Sequence, residues 1–318
     1  MAQRMARTWT VLVGGAGFIG RHVAQRLLRA GARVRIATRA PNLALPVLVL
    51  ARPGQAELCA LDIARADAQQ FAAALADCDR VVNLAGILTP QARHSFADVH
   101  AEGAARLAAA AGRAQVRHFV HVSALGASAT SPSLYAQSKH AGEQAVRRAL
   151  PQAVILRPSL VLGREDEFFG RFGWMARWLP ALPLMGGGAT AFQPLAVEDM
   201  AEAIERALSL PHAQGRIYEL GGMETVSFRE LMRAMLARLG WRRWLVPLPN
   251  FAGAAMSRLT QFMPGPLNFT PDQMRLLRSD NVVSAAAVKE ERTLAGLGIA
   301  PRPLETMLAE SCQRFQAR

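Results

Sequence analysis

Lysine and tyrosine are nearly absent from this chain of 318 residues. Only two of its 37 lysine and arginine residues are lysine, Lys139 and Lys289, and only Tyr135 and Tyr218 are tyrosine. One member of each pair lies in the stretch SLYAQSKHAGE, where Tyr135 and Lys139 are four positions apart. Residues four apart on a helix share one face, so this spacing indicates a place where chemistry requires a lysine that the rest of the chain avoids.

The sequence also lacks the patterns of a metal site, a secretory signal and a membrane span. Its three cysteines (Cys59, Cys78 and Cys312) are far apart, which fits a reducing compartment, and no Cys/His spacing indicates a metal ligand set. The start, MAQRMARTW, is too short and too polar for a signal peptide. No stretch reaches about 18 uninterrupted apolar residues. We therefore expect a cytoplasmic protein without a bound metal ion.

The net charge of +13 allows two interpretations. It can attract an anionic partner such as a nucleotide, a nucleic acid or an acidic membrane surface. It can also reflect arginines scattered over a solvated surface, which is the interpretation we favour. No run of five or more basic residues and no aromatic–basic motif occurs, so we do not expect binding to nucleic acid.

Short apolar segments alternate with alanine-rich helical segments in the first half of the chain. Strands are predicted at 9–13, 32–39, 57–63, 79–87, 117–125 and 153–163, and helices at 18–31, 66–78, 95–114 and 134–149. This alternation predicts βαβ units, and continuous apolar strands are typical of a parallel sheet buried on both faces. The predicted fold is α/β, a doubly wound parallel-sheet Rossmann fold over residues 8–165, with its sheet completed by residues 190–222.

The second half has a different composition. Proline and glycine cluster at 178–194, 246–253 and 263–272, which we expect to be loops that shape a pocket. Amphipathic helices are predicted at 197–210 and 227–240, and a late strand at 216–222. Residues 166–189 and 223–318 are therefore predicted to form a smaller α/β substrate-binding region at the C-terminal end.

A glycine-rich turn follows the first predicted strand. The motif GGAGFIG places Gly14, Gly17 and Gly20 at three-residue intervals and opens the first helix with Phe18 and Ile19. Glycines at these positions permit a tight turn and close approach of a pyrophosphate, which the free N–H groups and positive dipole of the helix start then bind. The context of strand, turn and helix is the one the dinucleotide motif requires.

The end of the second predicted strand indicates which dinucleotide is bound. A site for NAD(H) places an acid there to hold the ribose 2′-hydroxyl, but this strand ends Ala37-Thr38-Arg39. Arg39 can pair with a 2′-phosphate, with help from Arg21 or Arg35, so NADP(H) is favoured over NAD(H). Asp62, after the third strand, either reaches the adenine amino group or caps the next turn.

Tyr135 and Lys139 are the predicted catalytic pair. A free tyrosine has a pKa near about 10, too high for a base at neutral pH. A nearby ammonium group lowers that pKa, and Lys139 can also hydrogen-bond the nicotinamide ribose. Arginine replaces lysine poorly here because it is bulkier, planar and forked.

Several short motifs resemble known families. GGAGFIG, NLAG, YAQSK and LRP together resemble the extended and atypical short-chain dehydrogenase/reductase superfamily, which includes the NAD-dependent epimerases and dehydratases. Further stretches resemble the NADPH-binding accessory subunit family of respiratory complex I and its bacterial relatives. They are HVSALGA (121–127), SPSLYAQSK (131–139), FQPLAVEDMAEAI (192–204), YELGG (218–222), RLLRSDNVV (275–283) and LGIAPRPLE (297–305).

The resemblance implies roles for further residues. Ala85 and Gly86 would line the cofactor cleft, and Pro158 would lie near the carboxamide of the nicotinamide. Active members of the superfamily usually carry a Ser or Thr that polarises the substrate oxygen. Here Leu125 occupies its usual position, so Ser123 is the remaining candidate for that role. His100 stands where the long helix often begins with an Asn. It either departs from the active pattern or is a histidine that hydrogen-bonds the backbone at a helix start.

Two segments rich in Trp, Arg, Met and Phe, at 168–185 and 241–265, suggest contact with apolar molecules. They form either an interfacial patch on a membrane or membrane complex, or a substrate lid with snorkelling arginines, which we favour. Both fit a small apolar substrate. The sequence thus predicts an NADP(H)-dependent oxidoreductase or epimerase. The alternative is a non-catalytic NADPH-binding subunit or assembly factor of a respiratory, quinone-linked membrane complex, peripheral to the inner membrane.

Overall fold

A parallel sheet of seven strands forms the centre of the molecule. The computed structural model describes residues 8–91, 94–261 and 265–316. In sequence order the strands of this sheet are β1 (Trp9–Val13), β2 (Arg33–Thr38), β3 (Ala56–Ala60), β4 (Cys78–Asn83), β5 (His118–Val122), β6 (Val154–Pro158) and β11 (Ile217–Leu220). Their spatial order is β11-β6-β5-β4-β1-β2-β3, and every pairing is parallel.

Helices cover both faces of the sheet. In chain order they are α1 (Phe18–Arg29), α2 (Leu45–Leu48), α3 (Ala68–Ala74), α4 (Gly103–Arg113), α5 (Leu134–Ala149), α6 (Glu167–Trp178), α7 (Val197–Ala207), α8 (Phe228–Leu239), α9 (Asn250–Thr260), α10 (Pro271–Leu276), α11 (Ala285–Lys289) and α12 (Leu304–Gln316). Side chains of α1 and α7 share one core with the sheet, and those of α3, α4 and α5 share the other. Along β1, Leu12 faces the first core while Val11 and Val13 face the second, as the alternation of side chains along a strand requires. The predicted doubly wound Rossmann fold is confirmed.

A third core lies beyond the sheet. It unites α6, α8 and α12 through Phe172, Met232 and Leu308, all of which are buried. Three two-stranded sheets border it: β7 (Val161–Leu162) with β10 (Leu195–Ala196), β8 (Ala181–Met185) with β13 (Trp244–Leu248), and β9 (Ala191–Phe192) with β12 (Val226–Ser227). This core gives the C-terminal part of the chain its own packed interior.

Two of the expected loops contain strands instead. Residues 178–194 include β8 and residues 246–253 include the end of β13, and these two strands pair in parallel, with Pro183 opposite Val246 and Pro247 opposite Leu184. Proline is compatible with a two-stranded sheet because its missing N–H can lie on the unpaired side. In the third expected loop, 263–272, residues 262–264 lie outside the described residues, and α10 begins at Pro271.

Two other predicted elements are interrupted. The strand expected at 153–163 splits after Pro158, because β7 leaves the main sheet to pair with β10. The helix expected at 95–114 begins with a π-helical segment, Ala97–Glu102, before α4. Single-turn π segments are frequent at functional sites, and this one carries His100 towards the carboxyl edge of the sheet.

Candidate functional site

The turn between β1 and α1 presents backbone at the carboxyl edge of the sheet. Gly14 has φ +81°, and a Cβ there would lie 2.9 Å from the backbone N of Ala85. A Cβ on Gly20 would lie 2.6 Å from the Cα of Gly15, so α1 packs this closely only because position 20 is glycine. Gly17 is exposed and starts α1 without a side-chain cap. The free N–H groups and positive end of α1 therefore fit a phosphate.

Phe18 and Ile19, in the first turn of α1, are half-buried, and their side chains pack against neighbouring residues. The Phe18 ring meets the His22 ring edge-on, with centroids 5.7 Å apart, and a Cβ on Gly163 would lie 3.2 Å from it. Ile19 packs against the core that α1 shares with the sheet. Contact of these two residues with a cofactor stays a prediction.

Arg39 lies at the end of β2, where its positive charge helps to lower the pKa of Asp62. It is exposed, and among the described residues it forms no ion pair within 4.0 Å. Asp62, by contrast, is occupied: its Oδ1 accepts the N–H of Ala64 at 3.1 Å and its Oδ2 lies 2.8 Å from His94 Nε2. Burial alone would raise the pKa of Asp62, but these hydrogen bonds hold it below its usual range. The turn-capping contact expected of Asp62 is present, and its contact with the adenine amino group stays a prediction.

The two other arginines considered for a 2′-phosphate have protein partners. Arg35 is buried, forms an ion pair with Glu57 and donates to the carbonyl oxygens of Ala74 and Ala76 at 2.8 and 2.7 Å. Arg21 forms an ion pair with Glu165. Movement of Arg35 towards a ligand would leave the carbonyl oxygens of Ala74 and Ala76 without this donor, so Arg39 is the stronger candidate.

Lys139 lies buried beside the loop that follows β4. Its Nζ donates to the carbonyl oxygen of Val122 at 3.2 Å, and a Cβ on Gly86 would lie 3.2 Å from Nζ. Gly86 itself is exposed, so the ammonium group sits directly behind an open stretch of backbone. Burial lowers the pKa of Lys139 to about 8, with the Glu143 carboxylate one turn further along α5 opposing that shift.

Tyr135 is surrounded by aromatic rings. Its ring meets those of His100 and Phe96 edge-on, with centroids 5.4 and 5.9 Å apart, and Lys139 Nζ lies 5.8 Å from its centroid. Burial raises the pKa of Tyr135 to about 12. The expectation that Lys139 lowers this pKa is not met in the protein by itself, because desolvation of the phenol raises it.

The end of β5 carries the serine considered for substrate polarisation. Ser123 is 3% exposed, and its Oγ has no hydrogen-bond partner among the described residues. Its N–H donates to Leu156 O, and the N–H of the buried Leu125 donates to Pro158 O at 3.0 Å. Backbone pairing thus fixes Ser123 and Pro158 at adjacent strand ends. The role of each towards a ligand stays a prediction.

His100 joins the loop after β4 to the start of α5. Its Nε2 accepts the N–H of Ile87 at 3.0 Å, and its Nδ1 lies 2.8 Å from Ser138 Oγ, which in turn donates to Tyr135 O at 2.7 Å. Because Nε2 accepts, the proton of the neutral ring is on Nδ1. Burial, Lys139 and His121 lower the pKa of His100 to about 2. It is a neutral structural bridge at the position where an Asn was expected.

Sequence patterns missed Asp272, which lies in a segment expected to be a loop. Its carboxylate accepts hydrogen bonds from Ser133 Oγ and from the N–H groups of Leu134 and Tyr135 at the start of α5. A Thr-Pro-Asp-Gln stretch predicts a helix start, but nothing in it predicts contact with a second helix.

No three His, Cys, Asp or Glu side chains come together as metal ligands within the described part of the chain.

Comparisons with known proteins agree with this geometry. The model of the NAD dependent epimerase/dehydratase family matches residues 10–221. The chain is 34% identical over 288 residues to NADH dehydrogenase (ubiquinone) 1 alpha subcomplex subunit 9, mitochondrial, of Arabidopsis thaliana, covering 87% of this chain and 71% of that protein. It is 31% identical over 293 residues to the ceramide reductase of Caulobacter vibrioides, covering 90% of this chain and 89% of that one.

A solved structure shows the same fold. MoeE5 in complex with UDP-glucose and NAD aligns with a TM-score of 0.71 at 17% identity, over 97% of this chain and 98% of that one. The resemblance to the extended short-chain dehydrogenases/reductases, and within them to the complex I accessory subunit, is therefore confirmed. The chain belongs to the NAD-dependent epimerase/dehydratase family, whose members bind a nicotinamide dinucleotide.

Proposed function

We propose that this chain is an NADP(H)-dependent oxidoreductase that reduces a carbonyl group on an apolar substrate. The observation that carries the proposal is the buried Lys139 ammonium group, which has Val122 O as its protein acceptor and lies behind the exposed Gly86, one helical turn from Tyr135. A buried ammonium group with so few partners is costly for the fold. Hydroxyl groups of a nicotinamide ribose would supply the missing acceptors.

The preference for NADP(H) over NAD(H) rests on the end of β2. Arg39 is exposed and free of ion pairs within the described residues, so its guanidinium group can take a 2′-phosphate in a bidentate pair. The nearby acid, Asp62, is held by Ala64 N–H and His94 rather than by a ribose hydroxyl. The uncapped start of α1 at Gly17 would hold the pyrophosphate.

The raised pKa of Tyr135 suits the role of proton donor in a reduction. When bound, the dinucleotide supplies the hydride. A phenol whose pKa is about 12 keeps its proton at neutral pH, and it can donate that proton to the oxygen of a carbonyl as the oxygen gains negative charge. Lys139 stabilises the resulting phenolate and orients the ribose. Ser123, which is buried, contributes a weaker hydrogen bond or none.

Exposed apolar side chains beside the pair favour an apolar substrate. Leu134 precedes Tyr135 and is 56% exposed, and Leu88, two residues after Gly86, is 49% exposed. The ceramide reductase relative is named for an amphiphilic lipid. We propose that residues 166–189 and 223–318 close over this substrate, with their phenylalanine-rich core behind it.

The test uses purified protein loaded with NADPH. Nucleotide fluorescence is followed while a cell extract of metabolites and lipids is added to the wild type and to Tyr135→Phe. Tyr218→Phe is the matched control, because it removes the other tyrosine. Consumption of NADPH by the wild type and by the control, but not by Tyr135→Phe, supports the proposal. Equal consumption by all three proteins contradicts it.

Exposed aromatic and basic side chains favour a second function, that of a non-catalytic NADPH-binding subunit of a membrane complex. Trp178, Trp244 and Phe251 are 67%, 78% and 78% exposed. Arg242 and Arg243 line one groove together with Trp244, a combination suited to an anionic lipid interface. No helix in the described residues has the length and apolar character to cross a bilayer. The Arabidopsis relative is named as a subunit of a respiratory dehydrogenase. On this proposal the chain is cytoplasmic and peripheral to the inner membrane.

Vesicle flotation separates the two functions. The wild type is expected to float with vesicles of anionic phospholipid and not with phosphatidylcholine vesicles, and Trp244→Ser with Phe251→Ser is expected to abolish flotation. Met223→Ser, at an exposed position elsewhere, is the control. Flotation together with tight NADPH that no extract oxidises supports the subunit. Absence of flotation at low salt contradicts it.

A further inference from the structure

The carboxylate of Asp272 lies at the start of the helix that carries Tyr135 and Lys139. Oδ2 accepts from Ser133 Oγ at 2.8 Å and from Tyr135 N at 3.0 Å, and Oδ1 accepts from Leu134 N at 2.8 Å. Asp272 is 9% exposed and comes 137 residues after Tyr135. A carboxylate from a distant segment therefore binds the backbone of the tyrosine itself.

This contact adds to a cap that α5 already has. Ser133 is the N-cap residue, and its Oγ accepts the N–H of Ala136 at 3.3 Å. One capping side chain is the usual provision for a helix start. Here Ser133 and Asp272 together bind the N–H groups of Leu134, Tyr135 and Ala136, so the first turn of α5 has no N–H left to water. The negative charge also favours the positive end of the helix.

The segment that supplies Asp272 is itself fixed to the walls of the site. Thr270 caps α10 by accepting the N–H of Gln273 at 3.2 Å. The Gln273 amide then donates to Thr89 Oγ1 at 3.4 Å, three residues beyond Gly86, and accepts from Arg171 of α6 at 3.1 Å. The adjacent pair of residues 272 and 273 thus joins α5, the loop after β4 and α6.

We propose that Asp272 is a positioning residue for Tyr135: by holding the first turn of α5 from the C-terminal region, it sets the place of the phenol and, one turn on, of Lys139. The inference rests on the proposed function of that pair. It differs from a purely structural cap because the segment carrying Asp272 belongs to the region assigned to the substrate. Packing of that region against α5 then also positions the phenol of Tyr135.

The test reads Tyr135 directly, because the chain has only one other tyrosine. In a Tyr218→Phe background, Tyr135 is the sole phenol, and its ionisation appears as tyrosinate absorbance after a rapid jump to about pH 11. With a pKa of about 12 the phenol stays largely protonated within the dead time. We expect Asp272→Ala to fray the first turn, expose the phenol and increase the fast ionised fraction at least about threefold. We expect NADPH affinity to fall at least about threefold, because fewer molecules hold Lys139 in place.

Two further variants separate positioning from stability and from charge. Asp67→Ala removes the N-cap of α3, which accepts Gln70 N–H at 2.8 Å far from the site. It is expected to destabilise the fold to a similar extent while leaving both readouts at wild-type values. Asp272→Asn removes the charge and keeps only one of the two acceptor oxygens, because its NH2 group cannot accept a hydrogen bond. Both readouts are expected to lie between those of the wild type and those of Asp272→Ala.

The outcomes are distinct. Asp272→Ala indistinguishable from Asp67→Ala in fast ionisation overturns the inference. The ionisation readout needs no nucleotide, so a wild type that failed to bind NADPH would contradict the proposed function and leave this test in force.

Discussion

Burial, more than intrinsic chemistry, sets the protonation states of the residues in the candidate site. The pKa of Tyr135 is raised and that of Lys139 is lowered because burial disfavours the charged form of each group. His100 stays neutral for the same reason. The pair is therefore arranged so that a phenol holds a proton beside a cation that has almost no protein acceptor. Single substitutions test each of these statements.

Lys139→Arg is expected to weaken NADPH binding at least about tenfold. The guanidinium group is larger than the ammonium group it replaces and must fit beside Gly86, where the present Nζ is already close. Overpacking of this kind destabilises a fold by about 1–3 kcal/mol. Fluorescence titration and urea unfolding measure the two effects. Lys289→Arg, at the other and exposed lysine, should change neither.

His100→Asn is expected to make the protein less sensitive to acid. The pKa of His100 is lowered to about 2 in the folded chain, from an ordinary value of 6.5 for histidine. Between those values the unfolded chain binds a proton that the folded chain does not. Stability is therefore retained above pH 6.5 and lost as the pH falls, by up to ~1.4 kcal/mol per pH unit for one site. When the unfolding free energy is measured by urea unfolding between pH 7 and 5, it should fall less steeply with pH for His100→Asn than for the wild type. For His212→Asn, at an exposed site, it should fall as steeply as for the wild type.

Arg39→Glu is expected to exchange the nucleotide preference. An acid at the end of β2 repels a 2′-phosphate and accepts a ribose hydroxyl. NADPH affinity should fall at least about tenfold while NADH affinity holds or rises. Dissociation constants for both nucleotides give the ratio, and Arg52→Glu, another exposed arginine, is the control for the change in net charge. An unchanged ratio would assign the 2′-phosphate to some other residue.

At the scale of elements, two glycines of the turn after β1 are needed for packing, and a third leaves space for a ligand. Gly14 and Gly20 allow the turn after β1 to touch its neighbours, so their side-chain hydrogen is part of the packing. Gly17 is different, because an added Cβ there would meet only Gly14 O, at 3.3 Å. Its φ of −73° suits any residue. The space in front of it is what a pyrophosphate would fill.

Gly17→Ala is therefore expected to fold normally and bind NADPH poorly. The unfolding free energy should stay within ~1 kcal/mol of the wild type, while affinity falls at least about tenfold. Gly112→Ala is the matched control in α4, since its new Cβ would make an ordinary contact with Leu150 at 3.6 Å. That variant should bind normally and be slightly more stable, because alanine favours a helix over glycine. Normal NADPH binding by Gly17→Ala would contradict the proposal that the start of α1 holds the pyrophosphate.

At the scale of the whole molecule, two cores line the sheet and a third supports the C-terminal region. The third core is closed by α12, whose Ser311 donates to Gly163 O at 3.1 Å and whose Arg314 pairs with Asp166. The last helix is thus fixed to the turn that leads from the sheet into α6. Loss of the apolar contacts of α12 should therefore lower the unfolding free energy of the whole chain.

Met307→Ala tests this closure. The side chain is 1% exposed in the third core, and truncation of a buried methionine costs about 2–5 kcal/mol. Urea unfolding should show a loss in this range. Met223→Ala, at a side chain 60% exposed, should stay within ~0.5 kcal/mol of the wild type. Equal stability of the two variants would mean that α12 is dispensable.

Local patterns were sufficient where one element determines the outcome. The alternation of apolar strands and helices predicted the order of the first half of the chain, because both periods are written in consecutive residues. The prediction of α5 at 134–149 agrees with Leu134–Ala149. Prolines misled the prediction for β8 and β13, since the sequence does not say that these strands have only each other as neighbours.

The sequence by itself determined the family, the Rossmann fold and the spacing of Tyr135 and Lys139, because each is carried by a short contiguous motif. The tertiary structure decided which groups are free to act. It occupied Arg35 and Asp62 with hydrogen-bond partners and left Arg39 exposed, with no ion pair within 4.0 Å among the described residues. It also brought Asp272 to the start of α5. Hydrogen bonds and desolvation between distant segments make these choices, and neither can be read from residues that are neighbours only after folding.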